Sequence, residues 1–455
     1  MKLKKWLLTG ALCLSAVMLA VGCGGTGGGT GSGGIDDDID PNQQIYLKIE
    51  SAAPLRYNYN QLLNTSPAGS QLYNQALFTK KLVEGFAKKY PNIRLQFIEN
   101  GWGEALYQTQ QTYIRNYLQG GTLPVDIMIG ETYMGYFAQN NLFVALDENK
   151  FSNVVEGTYS DMYINGKIYG VPMCTGIMGL QYNVDILREA GVAEDKWEAS
   201  TWAELLENCK TVSEYAAANG KNYGGIMLNN VRGMSSAFRA VPFLRQAGGD
   251  IMKDGKLTLN SDENIAAFEY LRNLSEYTYK DSLTEESEDA LQLSFIQGHA
   301  AYMIELAVPM AIAPDNIKSA PLPTKNADGT GVGNVFVGNV LFGIADGSKN
   351  KAAAQAFLEY LTSAEVQSWF YELDGRLPVN KSILESEDIR KLHPNINSYL
   401  DQLVAGGFSG GIACFTKNAS DIWAEWGSFY SDVLRTSKGI KELADAAQSK
   451  IAAKM

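Results

Sequence analysis

The most restrictive feature of the chain is the order of patterns between residues 45 and 129. Ile45-Tyr46-Leu47-Lys48-Ile49 alternates apolar and polar residues with the period of a strand. Residues 77–90 carry Leu82, Phe86 and Tyr90 at helical spacing, and Pro91-Asn92 closes that run. Ile93-Arg94-Leu95-Gln96-Phe97-Ile98 alternates again, and residues 104–119 return to helical spacing. Pro124-Val125-Asp126-Ile127-Met128-Ile129 is then short and mostly apolar. Strands separated by whole helices are joined by crossovers, which makes neighbours in the sheet parallel. Parallel strands are covered on both faces, and this accounts for the apolar character of the last one. The expectation is an α/β lobe built on a parallel sheet.

The remainder uses the same elements in a less regular order. Residues 168–172 look extended, and Leu180-Gln181-Tyr182-Asn183 comes next as a strand. Thr201-Trp202-Ala203-Glu204 has the spacing of a capping box and opens a helix to about residue 218. Residues 257–260 are extended, and residues 263–277 set Ile265, Phe268, Leu271 and Leu274 on one helical face. Ala300-Ala301-Tyr302-Met303-Ile304 is a buried strand, and residues 335–344 give more strand. Thr362-Ser363-Ala364-Glu365 repeats the capping-box spacing, and helices dominate the rest of the chain. The length of 455 residues allows two or three domains, and no short-period repeat divides them.

The front of the chain has a different purpose. Lys2, Lys4 and Lys5 precede a nearly continuous apolar run over residues 6–21. That run is too short for a comfortable membrane span and has the layout of a signal peptide, residues 1–22. Leu19-Ala20-Val21-Gly22-Cys23 resembles a bacterial lipobox, with Ala20 standing where Leu is preferred. The resemblance implies cleavage before Cys23 and a lipid on Cys23. Residues 24–34 are Gly, Thr and Ser, which behave as flexible coil, and Asp36-Asp37-Asp38 extends them. Residues 23–43 are therefore expected to tether a folded body to the extracytoplasmic face of the cell membrane.

The formal net charge is −12, which argues against a sequence-independent grip on nucleic acid. Cys13 leaves with the signal, and Cys174, Cys209 and Cys414 are scattered, with no disulfide framework or zinc spacing.

Several segments resemble, in order, the extracellular solute-binding proteins of ABC importers, in the large sugar-binding group that includes maltose-binding protein. They are Leu123-Pro124-Val125-Asp126-Ile127, Leu142-Phe143-Val144-Ala145-Leu146-Asp147, and Asn165-Gly166-Lys167-Ile168-Tyr169-Gly170-Val171-Pro172. Further along come Gln181-Tyr182-Asn183-Val184-Asp185, Ser200-Thr201-Trp202-Ala203-Glu204-Leu205, Ala247-Gly248-Gly249-Asp250, Phe295-Ile296-Gln297-Gly298-His299-Ala300-Ala301-Tyr302, and Gly375-Arg376-Leu377-Pro378-Val379. Each motif alone is weak; their order and spacing are the specific signal. The resemblance implies a two-lobed α/β fold of the periplasmic-binding-protein type, with a hinge and a ligand cleft between lobes. It places residues 44–149 with 302–347 in lobe I, and residues 150–301 with 348–455 in lobe II. The crossings then fall near Lys150, Ala301 and Gly347. The implied partners are a carbohydrate, an oligosaccharide, and the permease subunits of an importer, with the receptor acting as a monomer. No cofactor and no catalysis are implied. A peptide, a polyol phosphate or an organic anion is the alternative ligand, and the last would need convergent Arg or Lys.

A sugar offers hydroxyls that need paired donors and acceptors, and C–H faces that suit aromatic rings. Candidates come from loops at strand ends, where α/β sheets bind ligands. In lobe I these are Arg56 and Tyr57, Trp102 in the turn Asn100-Gly101-Trp102-Gly103, Glu131 and Tyr133 after the Asp126 strand, and Glu305. Arg232, Phe238 and Asn339 are the further candidates, and Trp423 rests on a loose likeness to a stacking tryptophan of maltose-binding protein. Core packing is the competing role for every aromatic among them, and surface ion pairing for Arg56, Arg232 and Glu131.

Enzyme signatures fail on context. Gly407-Phe408-Ser409-Gly410-Gly411 fits the nucleophile-elbow spacing, but both histidines, His299 and His393, precede it, against the hydrolase order. Residues 22–27 fit the dinucleotide glycine pattern within a low-complexity tether. Two distant histidines and scattered thiols make no transition-metal set. A glycosidase would need two carboxylates across one cleft.

Overall fold

Residues 45–130 form the parallel arrangement that the alternation requires. The computed structural model describes residues 35, 38–52, 54–101, 104–231, 233–253, 255–307, 313–326, 337–406, 408 and 418–455, and residues 35–455 make one compact unit. The longer strands are β1 Ile45–Ser51, β2 Ile93–Glu99, β3 Ile127–Gly130, β4 Val171–Gly176, β5 Gly179–Asn183, β6 Gly224–Met227, β7 Ala300–Glu305, β8 Ile317–Pro321 and β9 Val337–Ile344. The helices that position the site are α1 Gln71–Lys89, α2 Glu104–Leu118, α3 Trp202–Asn219, α4 Met234–Gln246, α5 Asp262–Ser275 and α6 Glu288–Ile296. After β9 come α7 Lys351–Leu361, α8 Ala364–Asp374, α9 Asn397–Ala405, α10 Ala419–Arg435 and α11 Ile440–Ala452.

Two sheets result. The first has the order β2-β1-β3-β9-β4, and the second β8-β5-β7-β6. In the first, β1 runs parallel to β2, with Ile45 opposite Ile93 and Ser51 opposite Glu99, and parallel to β3. β9 returns antiparallel between β3 and β4. In the second, β7 is parallel to β6 and antiparallel to β5.

Sheet membership corrects the expected lobe boundaries. β4 belongs to the first sheet, although it lies beyond Lys150, and β7 and β8 belong to the second, although they mostly lie within residues 302–347. Helices α7 and α8 pack in the core of the first lobe, with Phe357, Leu358, Val366 and Phe370 beside Phe78, Leu82 and Phe86. The chain therefore crosses at residues 177–178, between β8 and β9, and after α8. The physical reason is that β4 and β7 are buried along their whole length. A strand apolar on both faces carries no mark of the sheet it will join.

Local signals mostly hold. Thr201 accepts from Glu204 N (3.2 Å), while the Glu204 carboxylate turns to Ser200 N (2.9 Å), so the box is offset by one residue. The second box does not form. Thr362 Oγ1 donates to Leu358 O (2.9 Å) and Ser363 Oγ to Tyr360 O (2.6 Å), so both hydroxyls bond backward into α7. Cys174 and Cys209 are buried free thiols, and burial pushes the Cys174 thiol up to about 12.

One contact sets the depth of α3 on the second sheet. A Cβ at Gly225 in β6 would lie 2.1 Å from the Cys209 carbonyl oxygen of α3. Gly225→Ala must push the helix off the strand, and overpacking of this kind costs about 1–3 kcal/mol. The expected result is a lower urea midpoint with an unchanged slope.

Candidate ligand-binding site

The carboxyl ends of β1, β2 and β3 form one edge of the first sheet, and the ends of β6 and β7 form one edge of the second. The edges face each other. Tyr107 of α2 accepts from Ala419 N of α10 at 3.2 Å, and one apolar cluster holds Tyr133, Met134 and Phe137 together with Trp423 and Trp426.

On the first edge, Glu50 in β1 is fully buried and accepts from Asn100 Nδ2 (2.8 Å), Gln110 Nε2 (2.7 Å) and Ile129 N (3.2 Å). Burial raises its pKa to about 7, against the pull of those donors. This one carboxyl fixes the loop after β2 to the end of β3. Glu131, directly after β3, is partly buried. Burial first and the charge of Glu288 second raise it to about 7. Glu288 stands in the first turn of α6, in the other lobe, and is itself raised, chiefly by burial. Asp161, also of the first lobe, is raised to about 8 by burial, with Arg245 of α4 opposing. Arg245 Nε already bonds Asp250 at 2.8 Å.

On the second edge, Arg239 of α4 is 4% exposed, and Glu305 at the end of β7 is 0% exposed. Arg239 Nη2 donates to Glu305 Oε1, and Nη1 donates to Glu288 Oε1 (3.1 Å) and Ser235 O (3.0 Å). Burial alone would lower the Arg239 guanidinium; the two carboxylates outweigh it and hold the charge. Leu306 N donates to Glu305 Oε1 (2.9 Å), and Tyr399 Oη donates to Glu305 O (2.9 Å). Several buried polar atoms along this seam have no hydrogen-bond partner among the described residues: Glu305 Oε2, Arg239 Nε, Asn229 Nδ2 and Asp161 Oδ2. Donors and acceptors left open in close succession suit a ligand that offers both.

The structure brings some sequence candidates to this seam and places others elsewhere. Glu131, Tyr133 and Glu305 lie on the facing edges. Tyr133 is buried with its ring edge-on to Tyr107 (5.2 Å) and Phe137 (5.5 Å). Arg56 lies beyond the end of β1, its guanidinium on Gln75 Oε1 (2.9 Å), and Gln75 in turn bonds Asp374. Tyr57 is 52% exposed beside it. Phe238 and Trp423 are buried in the apolar cluster that also holds Tyr133 and Phe137 of the first lobe. Asn339 donates to Thr158 O (2.9 Å) and accepts from Thr175 Oγ1 (2.7 Å), which ties β9 to β4. Trp102, Arg232 and Cys23 lie outside the described residues, as does most of the 407–411 segment. Sequence reasoning missed Glu50, Asp161, Arg239 and Glu288. Only Glu288 carried a signal: Ser287 caps α6, which puts the next acid at a helix start beside a loop.

The model of bacterial extracellular solute-binding proteins matches residues 69–368. The maltooligosaccharide ABC transporter solute-binding lipoprotein of Streptococcus pneumoniae is 27% identical over 318 residues, which cover 66% of this chain and 70% of that one. The sugar-binding protein MalE of Xanthomonas citri superposes with a TM-score of 0.69 at 17% identity, over 90% of this chain and 98% of that one. UgpB of Mycobacterium tuberculosis, solved with glycerophosphocholine, superposes with a TM-score of 0.68 at 18% identity, over 84% and 96%. Two lobes built on opposed sheet edges, with the match spanning both sheets, make this chain a member of the bacterial extracellular solute-binding protein family.

Proposed function

We propose that the protein is the receptor of an ABC importer for a neutral carbohydrate, an oligosaccharide, which it holds between its lobes and delivers to a membrane permease. One observation carries the reading. The facing edges present carboxyls, Glu131 and Glu288, and an open amide donor, Asn229 Nδ2, while the arginines beside them, Arg239 and Arg245, are engaged by carboxylates. Hydroxyls satisfy such a surface; an anion would meet acids. The names of the S. pneumoniae and X. citri relatives support the same ligand class, and the glycerophosphocholine complex of UgpB marks the alternative. Closing on ligand is the expected motion of two lobes joined by several crossings. A lipid on Cys23 and the Gly-rich tether would hold the receptor, as a monomer, at the extracytoplasmic membrane face.

The facing carboxyls also raise a glycosidase reading, since such enzymes use two acids across one cleft. Catalytic pairs are pushed apart in pKa so that one is acid and the other base; here burial raises both, and Glu288 is in addition held by Arg239 Nη1 at 3.1 Å. The test is a thermal-shift panel of neutral oligosaccharides, peptides and phosphodiesters, with mass spectrometry of the recovered ligand. A saccharide that raises the melting temperature and returns intact is the expected result. Stabilisation by peptides or phosphodiesters alone would overturn the ligand class, and a cleaved saccharide would overturn the binding-only role.

A further inference from the structure

At the pole of the first lobe away from the ligand seam, α1 carries four lysines against one glutamate, in a chain whose net charge is −12. Lys81, Lys88 and Lys89 border a pocket of about 450 Å³ between α1, α7 and α8, walled by Tyr360 and Trp369. Lys81 Nζ sits 5.5 Å from the Trp369 ring, and Lys89 Nζ sits 5.5 Å from the Tyr90 ring and 5.9 Å from that of Tyr360. The pocket's two acids have other contacts: Glu84 faces Lys80 (3.9 Å), and Glu365 accepts from Tyr360 Oη (3.3 Å). Lys81, Lys88 and Lys89 make no ion pair among the described residues.

The position of this pocket matters as much as its charge. The folded body begins beside it: Ile45 N and Gln44 Nε2 donate to Asn92 O (2.9 and 2.7 Å), and Asn92 Nδ2 donates to Asp40 O (2.9 Å). Asn92 lies three residues past Lys89, and Ile45 pairs with Ile93. The root of the tether and the lysines therefore share one pole, and the ligand seam lies at the other end of β1 and β2. Lysines with aromatic rings, set where a membrane tether enters, are the side chains that anionic bilayer surfaces attract.

We propose that this pocket is a docking site for the phosphate headgroups of anionic membrane lipids, which rests the first lobe on the bilayer and leaves the ligand seam open. The proposal rests on the reading that the chain is tethered at Cys23. The two fail separately, because the test uses the unacylated chain from Gly24 onward, which contains the whole compact unit. That chain is sedimented with vesicles of phosphatidylcholine alone and with vesicles that also contain phosphatidylglycerol. It should partition onto the second kind only, and added salt should release it. Charge reversal at Lys81, Lys88 and Lys89, each to Glu, should lower partitioning by more than the factor of about five per lysine that neutralisation alone would give. An unchanged melting temperature and unchanged saccharide response show that the triple variant folds. Equal partitioning onto both vesicles, or full partitioning by the triple variant, would overturn the proposal. So would binding of an acidic peptide without binding of vesicles. Acylation is read independently, by palmitate labelling of the intact chain against Cys23→Ser.

Discussion

Arg239→Met is expected to be among the most damaging single substitutions in the chain. Arg239 is the countercharge for Glu305, and neither side chain reaches water to any extent. Its removal leaves a carboxylate that is fully buried at the end of β7 with only the Leu306 N–H for company. Breaking a buried pair from one side costs about 3–5 kcal/mol, because the remaining charge is neither solvated nor paired. Glu288, which shares the same guanidinium, loses its partner as well. The second lobe should lose much of its margin, since whole domains are stable by only about 5–15 kcal/mol. The double variant Arg239→Met/Glu305→Gln removes both charges, and its urea midpoint should recover part of the loss. A wild-type midpoint for Arg239→Met would show that the pair does not hold this edge. A double variant no better than the single would show that packing, and not the orphaned charge, sets the cost.

Stability should also fall as pH rises from about 5 to about 8. Glu50 and Glu131 are raised from 4.5 to about 7, and Asp161 from 3.8 to about 8, each chiefly by burial. In that window the unfolded chain has already released these protons and the folded chain still holds them. The folded state therefore binds more protons, and raising the pH favours unfolding. The favourable contribution is complete below the ordinary carboxylate range and is lost as pH climbs through the raised values. For Glu50, a rise from 4.5 to about 7 corresponds to about 3 kcal/mol between the two limits. Thermal melts across the window should show a declining midpoint, with a shallower decline in Glu131→Gln. A midpoint that rises with pH, or a slope that Glu131→Gln leaves unchanged, would contradict the burial of these groups.

The sequence was most legible where pattern and chain order work together. The alternation in residues 45–49 and 93–98 and the helical run from residue 104 reappear as β1, β2 and α2 with ends shifted by one or two residues. Lobe membership was not legible, because β4 and β7 are buried on both faces and their partners lie far away in sequence. The same limit applies to the seam. Arg239 and Glu305 are 66 residues apart, and neither flanking pattern distinguishes an inward arginine on α4 from a solvated one. Phe238 and Trp423 have the chemistry of sugar platforms, and both lie in the apolar cluster that also holds Tyr133 and Phe137, so packing and ligand contact are not separated by pattern alone. Glu131 was a candidate in the sequence because α/β sheets bind ligands at strand ends, and the structure sets it directly after β3.

Titration calorimetry of the stabilising oligosaccharide against wild type, Glu131→Gln and Glu288→Gln tests the central claim most directly. Each variant removes one carboxylate from a different lobe, and a hydrogen bond to a charged group contributes about 1.5–3 kcal/mol. If the sugar lies between the lobes, both variants should bind roughly tenfold to a hundredfold more weakly, with the fold intact. Wild-type affinity in both variants would contradict a ligand held between the two sheet edges.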